Sequence, residues 1–225
     1  MPTIAIVGAG TGLGASIASV FGGNGFQVAL LARSQEKVDA LAAELGTKGI
    51  EAAGFAADVM DRRSLVAAFA RVKERFGAVD VLEYSPAVST PGTVLDMVSP
   101  LQVTPDNLQP QLDFYLHGAV TAAAQVLPEM LEAGAGTLLF TTGAGSVSPI
   151  PMMGNVNAAA AALRNWTLNL HQELAEKGVY AAHVAIGVWM GSGNAYDEPA
   201  TIAQTYWDLY TARDQAERQY LPLSN

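Results

Sequence analysis

Seven residues near the start, Gly8-Ala9-Gly10-Thr11-Gly12-Leu13-Gly14, constrain this chain more than any other feature. They follow the apolar run Thr3-Ile4-Ala5-Ile6-Val7, and Ala15 to Phe21 after them carries helical spacing. A second apolar run begins at Phe26. A glycine turn set between a strand and a helix lets the backbone approach a pyrophosphate closely. The helix N-terminus adds N–H donors and positive partial charge. Glycines also serve as ordinary turns, but the strand before and the helix after point to a dinucleotide held by Gly8, Gly10, Thr11, Gly12, Leu13 and Gly14. The end of the second strand bears on which dinucleotide. NAD sites usually place a carboxylate there for the ribose 2′-OH, whereas this chain has Ala32 and Arg33. A guanidinium pairs with a 2′-phosphate, so NADP(H) is expected. The plainer alternative is that Arg33 is an exposed residue ahead of a helix.

Strand-length apolar runs and helical segments alternate along the rest of the chain. Strands are expected at 26–31, 51–56, 79–83, 137–141 and 179–186, with a short seventh at 219–221 stopped by Pro222. Helices are expected from Ser34 to Leu45, and over 61–76, 107–131, 155–176 and 202–212. This alternation predicts an α/β fold: a doubly wound parallel sheet of the Rossmann type, three layers α/β/α, in one domain over 1–225. Ligands of such sheets sit at the carboxyl ends of the strands. Residues 84–106 are rich in Pro, Ser, Thr and Gly without periodicity. Together with 188–216 they are expected to form loop and helix insertions on the substrate side.

A net charge of −9 repels phosphate backbones and anionic lipid, so nucleic acid and membrane surfaces are excluded as expected partners. Cysteine is absent, and His117, His171 and His183 lack ligand spacing, so no metal site is expected. There is no basic leader before the first strand and no apolar run of membrane length, which predicts a cytoplasmic protein.

The spacing Gly8-xxx-Gly12-x-Gly14 resembles the short-chain dehydrogenase/reductase family, and the likeness covers nearly the whole chain. Leu31-Ala32-Arg33-Ser34 looks like that family's NADP-preferring strand end. Ala57-Asp58-Val59 looks like its adenine-contacting pair, and Asp80-Val81-Leu82 like the run into its fourth strand. Gly118 to Met130 resembles its long fourth helix. Gly136 to Leu139, and Ile186-Gly187-Val188, resemble its fifth and sixth strand ends. The resemblance implies cofactor contacts at Asp58, Val59, Ser85, Ile186 and Gly187. It also implies a homodimer or homotetramer through helices 107–131 and 155–176.

The family's chemistry rests on Asn, Ser, Tyr and Lys, and these positions fall on Tyr115, Gly143, Val156 and Ala160. No Tyr lies between residues 116 and 179, so no shift of register restores the Tyr-x-x-x-Lys pair. The family's Asn-Asn-Ala-Gly is replaced by Tyr84-Ser85-Pro86-Ala87. Hydride transfer to a carbonyl needs a proton or counter-charge at the developing alkoxide, which Val and Ala do not supply. Tyr115 is the best substitute acid, ahead of Tyr84, Thr141, Thr142 and Asp113. The alternative for Tyr115 is an aromatic that fills the vacated space. Met152, Met153, Trp189 and Met190 would line an apolar pocket mouth. Two readings follow: an NADP(H)-dependent oxidoreductase with a rebuilt site for an apolar carbonyl-type small molecule, or a non-catalytic NADP(H)-binding sensor or partner subunit. A third, another ligand on an inherited scaffold, is opposed by Arg33.

Overall fold

A computed structural model describes residues 1–87 and 92–222. Seven strands form one sheet: β1 (Thr3–Val7), β2 (Gln27–Ala32), β3 (Ala52–Ala56), β4 (Val81–Tyr84), β5 (Gly136–Gly143), β6 (Val179–Ile186) and β7 (Glu217–Tyr220). Their order is β3-β2-β1-β4-β5-β6-β7, with every neighbouring pair parallel. The sheet is doubly wound, as the alternation predicted, and its order reverses direction between β1 and β4. The carboxyl ends of those two strands therefore open a crevice.

Strands covered on both faces need apolar residues at successive positions rather than alternate ones. Ile4, Ala5, Ile6 and Val7 of β1 are accordingly all buried. One face packs on α1 (Leu13–Gly23), α2 (Gln35–Thr47) and α7 (Pro199–Ala212), joining Ile6, Ile17, Leu30, Leu139, Val184 and Tyr206 in one core. The other packs on α3 (Arg62–Phe76), α5 (Gly118–Ala133) and α6 (Gly154–Leu174), around Leu31, Phe69, Leu82, Val126, Phe140 and Leu163. Between β6 and β7, the stretch 188–216 contains α7. That helix buries Ile202, Ala203, Tyr206 and Leu209 against the sheet layer. Among the described residues no helix is long and apolar enough to cross a membrane.

The single helix expected over 107–131 is a correction. The chain forms α4 (Pro105–Leu112), then a π turn over Asp113–His117, then α5. The Gly118 N–H bonds to the Asp113 carbonyl five residues back, which leaves the Phe114 carbonyl without its helical partner. Tyr84, fully buried at the end of β4, fills that vacancy by donating its hydroxyl to the Phe114 oxygen at 2.5 Å. The same contact explains Gly118, because a Cβ there would run into the Tyr84 hydroxyl and lie 2.9 Å from the Val59 carbonyl oxygen.

This packing makes Tyr84 and Gly118 a coupled pair. Gly118→Ala is expected to destabilise the fold by about 1–3 kcal/mol through overpacking. Tyr84→Phe should cost about 1–3 kcal/mol by orphaning the Phe114 carbonyl. The double variant should lose clearly less than the sum, because removing the hydroxyl makes room for the new methyl. Denaturant unfolding of all four proteins measures the coupling, and strict additivity would refute it.

Candidate functional site

The glycine turn divides into two kinds of glycine. Gly8 has φ +98°, and a Cβ on it would stand 2.5 Å from the Pro86 Cα. A Cβ on Gly14 would lie 2.9 Å from the Ala9 Cα. These two are glycines because backbone approaches backbone. Gly10 and Gly12 differ: a Cβ on either would meet nothing within 4 Å. Their lack of a side chain keeps a space clear directly over the N-terminus of α1, where no side chain caps the helix. An uncapped, unobstructed helix N-terminus of this length suits an anion, and a dinucleotide's pyrophosphate fits it.

The other expected cofactor positions surround this cradle at the strand ends. Arg33 is exposed immediately after β2, and Ser34 behind it caps α2 by accepting from the Lys37 N–H. Asp58 and Val59 follow β3. The Asp58 carboxylate accepts from the Met60 N–H at 3.0 Å, and its own N–H donates to Ser64 Oγ at 3.1 Å, so the turn is held in shape. Ser85 follows β4 directly behind Gly8, half-buried. Ile186 ends β6, and the Gly187 N–H donates to the Tyr220 carbonyl at 2.8 Å. Gly187 is pinned on its other side, where a Cβ would stand 3.0 Å from the Ala144 Cβ.

At the positions where the family pattern puts its chemistry there is little to donate a proton. Gly143 is exposed at the end of β5, Val156 is half-buried, and Ala160 is buried on α6. Tyr115 lies within the π turn, half-buried, its ring edge-on to Phe114 at 5.1 Å. Burial raises the pKa of its phenol, so the hydroxyl stays protonated through neutral and moderately alkaline pH. The lesser candidates are already engaged. Tyr84 is committed to the Phe114 carbonyl. Asp113 holds His117 at 2.8 Å and accepts from Gln109.

Thr141 and Thr142 point to opposite faces of the sheet, and each belongs to a buried polar cluster that the sequence did not announce. Thr141 donates to Glu83 Oε1 at 3.2 Å and lies 2.6 Å from the Tyr206 hydroxyl of α7, while Ser85 donates to Glu83 Oε2 at 2.9 Å. Glu83 is fully buried in β4, and among the described residues no cation pairs with it. Desolvation raises its pKa from 4.5 to about 8, against the smaller opposing effects of the two hydroxyls. On the other face Thr142 Oγ1 lies 2.8 Å from His183 Nε2 and 2.8 Å from Ser146 Oγ. His183 Nδ1 meets Glu217 at 3.0 Å, and Arg164 grips Glu217 with two bonds at 2.5 and 2.9 Å. Burial lowers the His183 pKa to about 4, so the ring is neutral, Nδ1–H donates to Glu217, and Nε2 accepts from Thr142.

The substrate-side loop is fixed by a residue that the sequence did not mark. Asn155, fully buried at the start of α6, accepts from the Val98 and Val156 N–H groups and donates to the Asp96 and Asn107 carbonyls. Gln111 adds a bond to the Leu95 carbonyl at 2.9 Å. Two carboxamides thus tie residues 95–98 to α4 and α6 beside Val156. Of the expected loop over 84–106, residues 88–91 lie outside the described residues. Leu101 and Met152 are largely exposed on this side, and so is Trp189 beyond β6, with Ile150 and Met190 less so. A single Glu inside an otherwise apolar strand, Val81-Leu82-Glu83-Tyr84, was a readable sign of the first cluster. Nothing in the spacing of Asn155 or His183 signals a role.

This sheet, with an open glycine cradle at its reversal point, defines a dinucleotide-type Rossmann domain. The chain matches the short chain dehydrogenase family over residues 2–197, and it belongs to that family. It is 32% identical over 178 residues to oxidoreductase UcpA of Salmonella typhimurium, and 32% identical over 190 residues to dehydrogenase/reductase SDR family member 4 of Bos taurus. These alignments take in 79% and 82% of this chain, which spans 65% of the length of each relative. Among solved structures, an actinorhodin polyketide ketoreductase variant with NADPH superposes at TM-score 0.85, 23% identity, covering 98% of this chain and 95% of its own. A metagenomic short-chain oxidoreductase in complex with NADP gives 0.84 and 24%, covering 99% and 98%. At these identities the structural likenesses establish the fold.

Glu83 makes the stability of this fold depend on pH. A carboxyl whose folded pKa lies above its unfolded value stabilises fully below the unfolded pKa, and that contribution is lost as pH rises through the folded one. Relative to Glu83→Gln, the wild-type protein should lose up to about 1.4 kcal/mol per pH unit between pH 4.5 and pH 8. Chemical denaturation of both proteins at pH 5, 6.5 and 8 measures this, and parallel pH profiles would refute it.

Proposed function

We propose that this chain is an NADP(H)-dependent oxidoreductase acting on an apolar carbonyl-type small molecule, with a rebuilt proton-donating site. The observation that carries the reading is the cleared space over Gly10 and Gly12 at the uncapped start of α1. In this reading Gly8, Gly10, Thr11, Gly12, Leu13 and Gly14 hold the pyrophosphate, and Arg33 meets the 2′-phosphate. Asp58 and Val59 flank the adenine, while Ser85, Ile186 and Gly187 line the path to the nicotinamide end. Membership of the family and the NADPH and NADP of the two structural neighbours support the same cofactor.

The cofactor, when bound, supplies a hydride. The protein's remaining task is to place a carbonyl carbon at that end of the crevice, exclude water and give the oxygen a proton. Tyr115 is proposed for the last role. Its phenol sits in the π turn, keeps its proton because burial disfavours the phenolate, and among the described residues has no competing partner of the kind that occupies Tyr84. The exposed side chains of Leu101, Ile150, Met152, Trp189 and Met190 favour an apolar substrate. Pairing of copies through α4–α5 and α6 is part of this reading, supported by the exposed Val120 and Leu131 of α5.

A second reading, a non-catalytic NADP(H)-binding protein, is favoured by one observation: Gly143, Val156 and Ala160 carry no protic side chain. NADPH oxidation in the presence of a panel of apolar aldehydes, ketones and 1,2-diketones separates the two. Turnover is expected, and Tyr115→Phe should slow it by about 10²–10⁴-fold with NADPH affinity unchanged. An unaltered rate removes Tyr115 as the acid. Tight NADPH binding without turnover of any panel member favours the sensor, in which NADPH and NADP⁺ must then shift assembly or partner affinity unequally.

The cofactor reading has its own test. In paired titrations followed by nicotinamide fluorescence, NADPH is expected to bind more tightly than NADH, and Arg33→Ala should erase most of the difference. Equal affinities in the wild-type protein would remove Arg33 from the site.

A further inference from the structure

Glu83 has no part in the chemistry proposed above, yet it sits one side chain away from the glycine turn. Ser85, whose hydroxyl donates to Glu83 Oε2 at 2.9 Å, lies directly behind Gly8: a Cβ on Gly8 would stand 2.8 Å from the Ser85 carbonyl carbon. Ser85 is half-buried just beyond the end of β4, where the crevice opens, and its hydroxyl is turned to the interior carboxyl. We propose that Glu83 is a positioning residue for the dinucleotide, acting through Ser85, and that it takes up a proton when the dinucleotide docks. The inference rests on the NADP(H) reading.

The Ser85 hydroxyl has a single hydrogen to give. While the Glu83 carboxyl is ionised it can only accept, so the Ser85 hydrogen is committed inward and the hydroxyl has only lone pairs left to offer a ligand. Once protonated, the carboxyl can donate to Ser85 Oγ, and the Ser85 hydrogen becomes free for an acceptor oxygen of the ligand. Charge acts in the same direction. A pyrophosphate over α1 brings negative charge toward a buried carboxylate that no cation neutralises.

The surroundings of Glu83 leave it free to respond. From α7 it faces the Tyr206 hydroxyl, held at 2.6 Å by Thr141, and Tyr206 is the one other titratable group of the cluster. Its strand neighbours in register are Ile6 of β1 and Leu139 of β5. The same layer holds Ile17 of α1 and Val184 of β6, the phenols Tyr180 and Tyr220, and Thr137, which accepts from Arg213 at 3.1 Å; among the described residues none of these hydrogen-bonds to Glu83. Arg33 stands two strands away, at the end of β2. With a pKa near 8 in the free protein, the group is partly ionised at a pH where binding is easily measured.

The test uses the full chain with NADPH as the probe. Its dissociation constant, followed by nicotinamide fluorescence, is expected to be about tenfold weaker at pH 9 than at pH 7 in the wild-type protein, and flatter in Glu83→Gln. Calorimetric titration at pH 8 in two buffers of different ionisation enthalpy should show several tenths of a proton taken up by wild type beyond that of Glu83→Gln. Ser85→Ala breaks the link while leaving the acid in place. It should bind more weakly at pH 7 and lose most of the pH dependence, and it keeps the test decisive where Glu83→Gln folds poorly. A flat wild-type profile, equal proton uptake in wild type and Glu83→Gln, or a full pH dependence in Ser85→Ala each overturns the proposal with the cofactor reading intact. Failure to bind NADPH at any pH overturns both.

Discussion

Between β1 and α1 the backbone turns so close to the end of β4 that no side chain fits at Gly8, and so tightly on itself that none fits at Gly14 against Ala9. This approach fixes the relation of three elements at the reversal point of the sheet: the strand that enters the turn, the helix that leaves it, and Ser85-Pro86 beyond the neighbouring strand. The consequences reach past the turn. Because Pro86 is pressed against Gly8, Tyr84 and Ser85 are held in register, one hydroxyl directed to each face of the sheet. Tyr84 reaches the π turn before α5, and Ser85 reaches Glu83. Gly10 and Gly12 meanwhile stay clear of protein atoms, so the rigidity gained at two glycines holds open a space at the other two.

Around the positions where the family's catalytic side chains were expected, buried polar groups of the backbone are satisfied by neighbouring side chains. A π turn exposes a backbone carbonyl, and a polar side chain or water must satisfy it if it is buried. Here Tyr84 does so from the neighbouring strand, and Gly118 is small enough to admit it. Val156 and Ala160 leave α6 with a short-chain surface, while Asn155 beside them ties the loop at 95–98 to α4. The π turn that packs on this surface carries the half-buried phenol of Tyr115.

Much of the frame was legible because parallel strands covered on both faces leave a strong trace: continuous apolar runs separated by helical segments, with α3 ending at Gly77 as expected, while α1 and α2 run through Gly22-Gly23 and Gly46 to end at Gly23 and Thr47. Even the seventh strand announced itself before Pro222, although it runs over Glu217–Tyr220 instead of 219–221. The π turn was not legible. Residues 107–131 carry unbroken helical periodicity, and the extra residue in one turn is set by Tyr84, which lies far away in sequence. Carboxamide clamps were equally silent, since Asn155 is an ordinary polar residue until four backbone groups are found around it. The site's glycines could be named, but not the division between those that pack and those that leave room, because that distinction depends on what stands opposite each Cα.

The two buried polar clusters at the strand ends show why one of them can respond to a ligand and the other cannot. On the α6 face, His183 is neutral and Glu217 ionised, and the Arg164 guanidinium holds that carboxyl below its ordinary pKa. Every charge in that chain has a partner, so a new charge nearby has little to shift. On the α7 face Glu83 has hydroxyls but no cation, so the desolvation cost of its charge is offset only by hydrogen bonds from Thr141 and Ser85. A carboxyl in that state is poised between two forms whose free energies differ little near pH 8. Any anion bound over α1 adds to the cost of the charged form alone, and a modest added cost is enough to change the population. The fold places this unneutralised group, and not the neutralised one, directly behind the turn that the ligand would occupy.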